Sequence, residues 1–172
     1  YKDTMAEEII NRIAQSNLMV FDLEELWPVG GLQVFALSPL ATDGLFREKA
    51  VRQSLDDMDL SAYAGQVVCI EGAQDYIVPQ WLWPMLSHAL AHAKFIGEGA
   101  DVMSQYYTHA LQAMELSPYQ DKKVLLKGCA AVAVPPSAYL QAAAQLEGVA
   151  SKLMYGEACS NVPIFKAPAK GK

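Results

Sequence analysis

Apolar residues recur along this chain in short blocks whose period switches repeatedly between helical and strand-like. Met5, Ile9, Ile10 and Ile13 fall at helical spacing and predict a first helix over residues 5–16. "LMVF" (18–21) and "LQVFAL" (32–37) follow as strands, separated by the breaker Pro28, Gly30, Gly31. "LFREKAVRQSL" (45–55) reads as a helix and "QVVCI" (66–70) as a buried strand. Pro79 suits the first position of a helix through Ala93, with Pro84 delaying its start or kinking it. "KFI" (94–96), a helix over 101–114, "KVLLK" (123–127), a helix over 136–147 and "KLMY" (152–155) complete the alternation. The predicted fold class is therefore α/β: layered, with a mostly parallel sheet joined by right-handed crossovers and helices on its faces. A chain of 172 residues suits a single α/β domain, with residues 166–172 as a flexible tail.

The pattern also repeats. "DLSAYAGQVVCIEGAQDYIVP" (59–79) aligns without a gap on "ELSPYQDKKVLLKGCAAVAVP" (115–135), at a constant offset of 135 − 79 = 56 residues. Leu60/Leu116, Ser61/Ser117, Tyr63/Tyr119, Val68/Val124, Gly72/Gly128, Val78/Val134 and Pro79/Pro135 are identical. "KFIGE" (94–98) is answered by "KLMYGE" (152–157). These matches predict an internal duplication of a β-α-β-α unit, over about 46–98 and 102–157.

Composition changes little in this picture. Hydrophobic residues make up 52% and charged residues 19%, as in an ordinary globular protein. The net charge of −6 and the lack of a basic stripe argue against a nucleic-acid partner. The one basic cluster, Lys166, Lys170 and Lys172, reads as a solvated terminus. Three cysteines without a CxxC pair do not form a disulfide framework. No apolar run reaches 18 residues and no basic leader precedes one, so no membrane association and a cytoplasmic location with reduced thiols are expected. Met5 suits a natural initiator, which would leave Tyr1–Thr4 outside the native chain.

Ligands of parallel α/β sheets bind outside the carboxyl ends of the strands. Here those ends carry "EGAQD", "GEGAD", "KGCAA" and "GEACSN". Cys129 and Cys159 stand just past strands joined by one crossover, so they can form a redox pair, a metal half-site or a nucleophile, or pack as small apolar residues. Cys69, inside a strand, is expected in the core. Glu98 and Glu157 occupy equivalent positions and, with Asp75 and Asp101, can bind a hard cation, divide acid and base roles, or serve as first-turn helix acids. "GEGADV" lacks the third glycine of a dinucleotide fingerprint. Helix starts near Pro79 and Pro135, with Ser137 and Ser160 able to assist, permit an anion on the same rim. His88 and His92 lie four apart on a predicted helix but lack the HExxH glutamate, so a polar helix flank is the expectation. Trp81, Trp83, Tyr106 and Tyr107 are expected in packing roles, unless both tryptophans are exposed.

"AEEIINRIAQSNLMVFDLEE", "FREKAVR", "DYIVPQW", "KGCAAVAVPPSAY" and "YGEACSNVPIFK" together resemble a small bacterial family, domain of unknown function 2480. The resemblance covers about Met5 to Lys166 and carries no catalytic residue with it. It singles out the cysteine-bearing signatures, hence Lys127, Cys129, Tyr139, Glu157, Cys159 and Ser160. It also brings an association with iron–sulfur cluster assembly. Two functions of different class are expected from these observations together. One is a non-enzymatic accessory or interaction protein, with a protein partner or a homodimer, in metal-cluster or sulfur metabolism. The other is a thiol- or metal-dependent activity at Cys129 and Cys159, with a metal ion as the cofactor and Glu157 and Glu98 in support.

Overall fold

The structure, a computed structural model, describes residues 17–128 and 131–168. The helix expected over 5–16, Cys129, Lys170 and Lys172 lie outside the described residues. The protein is mixed α/β, and its strands are mostly parallel but fall into two sheets. Two compact units divide the chain: a continuous one, Pro28–His109, and a split one built from the chain up to Trp27 and from Ala110 onward.

The continuous unit holds strands β2 (Leu32–Ala36), β3 (Val67–Glu71) and β4 (Phe95–Glu98), in the order β2-β3-β4 and all parallel. Val67, Val68, Cys69 and Ile70 are all buried, as a central strand covered on both faces requires. Helix α1 (Glu48–Asp57) buries Val51 and Leu55, one turn apart, while its Arg52–Glu48 pair stays in solvent. Helix α2 (Leu82–Ala89) buries Leu82 and Leu86, and with Phe35, Leu37, Val68 and Ile70 these side chains form one core. Pro84 is its third residue, inside the first turn where a missing N–H costs nothing. The helix is shorter than the expected span through Ala93, because Leu90 leaves helical geometry and its N–H caps Leu86 and His88 carbonyls. His92 is therefore off the helix, and its carbonyl accepts the Gly65 N–H at 2.8 Å.

The split unit holds β1 (Leu18–Asp22), β5 (Lys123–Lys127), β6 (Lys152–Glu157) and β7 (Ser160–Lys166), in the order β1-β5-β6-β7. The first three are parallel, and β7 returns antiparallel to β6 after the two-residue turn Ala158–Cys159. Lys166 is thus the last residue of a strand and not part of a tail. Helix α3 (Val102–Gln112) spans the boundary between His109 and Ala110. Helix α4 (Pro136–Leu146) starts on Pro136 and buries Ala138, Ala142 and Leu146.

Each unit pairs its strands in one register. Val67 stands between Leu32 and Phe95, and Lys123 stands between Leu18 and Lys152. Before each central strand, an acid accepts the N–H of a serine two residues on, Asp59 from Ser61 at 3.0 Å and Glu115 from Ser117 at 2.9 Å. These bonds hold both carboxyls below their ordinary range. A tyrosine then packs on the phenylalanine of the neighbouring strand, Tyr63 on Phe35 with centroids 5.6 Å apart and Tyr119 on Phe21 at 5.1 Å.

Candidate functional site

At the carboxyl end of the split unit's sheet, β1, β5 and β6 stop together and leave a cleft of about 210 Å³. Asp22, Glu24, Lys127, Gly128, Tyr155, Gly156 and Glu157 line it. The strand register delivers Lys127 beside Asp22, and a 3.0 Å ion pair joins its Nζ to Glu157 Oε1. Hydrogen bonding and charge from Glu157, with further charge from Asp22 and Glu24, raise the Lys127 pKa above the usual lysine range. An ammonium held charged in this way is no nucleophile.

The acids of the cleft are engaged as well. Asp22 Oδ1 accepts the Glu24 N–H at 2.9 Å and caps the 3-10 turn Leu23–Leu26. Glu24 Oε1 accepts the Ala131 N–H at 2.9 Å, tying β1 to the loop beyond β5. Two glycines keep the floor open. A Cβ on Gly128 would come within 2.6 Å of the Tyr139 hydroxyl. One on Gly156, at φ 122°, would meet the Ser160 carbonyl oxygen at 2.8 Å. Among the described residues, no three His, Cys, Asp or Glu side chains come together as a metal-ligating group.

Beyond Tyr155 the surface turns apolar. Leu126, Val134, Tyr139, Leu140, Ala143, Tyr155 and Ile164 line a cleft of about 440 Å³ between α4 and the β6–β7 hairpin. Tyr139 meets Tyr155 edge to face, with centroids 5.9 Å apart. Leu140 is 74% exposed and Ile164 50%, so large aliphatic side chains face water at its mouth. Tyr155 pairs in register with Leu126 and Val162, so these three side chains share one face, and Val162 is largely exposed there.

The residues expected on the rim divide between the units. Lys127, Tyr139, Glu157, Cys159 and Ser160 belong to the split unit, and Glu157 is paired in register with Ser160. Cys159 is exposed in the hairpin turn. Asp75 and Glu98 belong to the continuous unit: Asp75 closes the 3-10 turn after β3, and the Glu98 carbonyl accepts Gln105 Nε2 at 3.1 Å. Asp101 precedes α3 and its carbonyl takes the Gln105 N–H. Cys69 is in the core as expected, its thiol pKa raised by burial. Trp83 packs against the core of the continuous unit, so the two tryptophans do not form an exposed pair.

Asp22, Glu24, Tyr155, Leu140 and Ile164 were not legible as site residues. A signal for the two acids exists. "LMVFDLEEL" (18–26) and "LQVFALSPL" (32–40) share Leu, Val, Phe, Leu and Leu at an offset of 14, and they part where Asp22, Glu24 and Glu25 face Ala36, Ser38 and Pro39. The apolar cleft has no such trace, because α4 and β7 meet only in three dimensions.

No curated protein and no solved structure matches the chain. The family described as protein of unknown function (DUF2480) matches over residues 7–167. With nearly the whole chain inside that match, this protein is a member of the DUF2480 family.

Proposed function

We propose that this is a non-enzymatic accessory protein of metal-cluster or sulfur metabolism, working in the cytoplasm by binding a protein partner. The observation that carries this reading is the apolar cleft of about 440 Å³, which shares Tyr155 with the cleft of Asp22, Glu24, Lys127 and Glu157. Its volume lies in the range of ligand sites, roughly 300–1,000 Å³. Three carboxylates against one lysine favour a partner segment with an aliphatic anchor beside basic residues. Every described ionisable group of the polar cleft already holds a neighbour, as suits a docking wall better than a reaction centre.

The test is Nile red fluorescence, with displacement by an amphipathic Leu/Lys peptide. Wild type binds the dye and the peptide displaces it; Ala143→Trp, which fills the cleft, abolishes both; Ile77→Ala, at an exposed site in the continuous unit, changes neither. Dye binding that survives Ala143→Trp would sink this reading.

A second reading, thiol- or metal-dependent activity at Cys129 and Cys159, is favoured by the Lys127–Glu157 contact. Each cysteine follows one of these paired residues by two positions. Elemental analysis of protein purified without chelator, beside thiol labelling of wild type, Cys129→Ser and Cys159→Ser, decides it. Stoichiometric metal or a hyper-reactive thiol, lost in either variant, carries the reading; their absence removes it.

We further infer an internal duplication within a single domain. The acid–serine bond and the tyrosine of the Phe–Tyr contact recur at an offset of 56, and the strand pairing and the contacted phenylalanine recur with them through the echo of β1 in β2; both support it. On this reading the β2–β4 copy is nested in sequence between the first strand of the other copy and its remainder.

A further inference from the structure

We propose that the amino-terminal edge of the split unit's sheet is a binding site for a small anion carrying more than one phosphoryl group. The site is distinct from both clefts above and does not depend on the reading given to them. Its basis is a row of lysines. Lys123 pairs in register with Lys152, and Lys152 with Lys166, so three ammonium side chains leave one face of three adjacent strands. Like charges placed directly opposite one another destabilise a sheet. A chain with a net charge of −6 has here put two such pairs side by side. Among the described residues, no ion pair joins Lys123, Lys152 or Lys166 to an acid.

The row lines a cleft of about 490 Å³, together with Asp121, Ser151, Ala167 and Pro168. The main chain around it is already spent on itself. The N–H groups of Asp121, Lys123, Ser151 and Ala167 donate to the carbonyls of Val149, Asn17, Lys122 and Ser151. Donors for a ligand are therefore the three ammonium groups and the Ser151 hydroxyl. Two strand spacings separate the outer lysines, about 10 Å at roughly 4.8 Å each. That is wider than one carboxylate or one phosphate can bridge, and a diphosphate or longer group fits it better. Lysines bind phosphoryl oxygens as point charges, whereas planar two-pronged recognition of a carboxylate calls for arginine, and none lines this cleft. Such phosphoryl groups occur on soluble metabolites and on lipid headgroups alike.

The repulsion makes the test specific. Isothermal titration and thermal unfolding are run with inorganic pyrophosphate, and flotation with phosphatidylcholine vesicles with and without phosphatidylinositol bisphosphate. Pyrophosphate is expected to bind wild type and raise its unfolding midpoint, with affinity falling as salt rises. Lys152→Gln removes the middle charge. It is expected to raise the midpoint without ligand and to weaken pyrophosphate binding about ten-fold or more, whereas Lys94→Gln in the continuous unit leaves binding unchanged. The double variant Lys123→Gln/Lys166→Gln repeats the loss should Lys152→Gln not fold. Binding to the lipid-containing vesicles alone, lost in the same variants, assigns the same site to a headgroup. No binding to either probe, or binding indifferent to all three lysines, overturns the proposal.

Discussion

The two units share a skeleton, and they differ most in how each helix meets its sheet. At the buried positions where α2 carries Leu82 and Leu86, α4 carries Ala138 and Ala142, each 56 residues on. After β4 the chain turns into helix α3, whereas after β6 it folds back as β7. The continuous unit thus closes its core with leucines. The split unit adds a strand, β7, beside a small-residue helix, and among the described residues an apolar cleft lies there. Similar arrangements of strands and helices thus differ, by a few side chains and one extra strand, in whether an apolar cleft lies beside the sheet.

The strongest way to break this comparison is at the helix faces. Leu86→Ala should cost about 2–5 kcal/mol in denaturant unfolding, because a buried leucine leaves a cavity behind it. Ala142→Leu should cost about 1–3 kcal/mol by overpacking. Equal and negligible effects would mean that the two helices are not packed in the distinct ways described. The aromatic pairs come next. Tyr63→Leu and Tyr119→Leu should each lose about 0.5–1.5 kcal/mol of ring contact. Tyr63 should lose more, since its hydroxyl also donates to the Val34 carbonyl at 3.2 Å. A larger loss at Tyr119 would reverse that ranking.

Smaller effects come from titration. Asp59 and Glu115 have lowered pKa values in the folded protein, so their contribution is present above the ordinary carboxylate range and is lost as pH falls through the lowered values. Asp59→Asn and Glu115→Gln should therefore each flatten the acid limb of a stability–pH curve, and a response in one unit alone would separate them. Lys127 has the opposite sign. Its raised pKa means that the charged lysine's contribution is complete at neutral pH and is lost as pH rises from the ordinary lysine range, roughly pH 10.4, through the raised value. Lys127→Gln should remove that alkaline loss, read as a flatter basic limb of the stability–pH curve.

Much of the fold was legible because burial writes itself as periodicity. "QVVCI" and "KVLLK" are apolar runs too short for helices, and both are central strands. The end of α2 is not legible in the sequence, because its apolar spacing continues past the point where Leu90 breaks the backbone geometry. Two sheets stood where one was expected, since strand alternation constrains parallel pairing but not which strands pair. In the candidate site, Lys127 and Glu157 were visible as strand-end residues; Asp22 and Glu24 lie more than a hundred residues from the segments they join.

The sequence by itself determined the alternation of strands and helices, the 56-residue recurrence and the family. These depend on local period and on side-chain type, which are written residue by residue. Tertiary structure decided where charges and apolar surfaces add up. Lys123 and Lys152 look like isolated strand ends in the sequence, and Lys166 like the start of a basic tail. Only sheet register, fixed by long-range hydrogen bonds and by which face is buried, makes them neighbours.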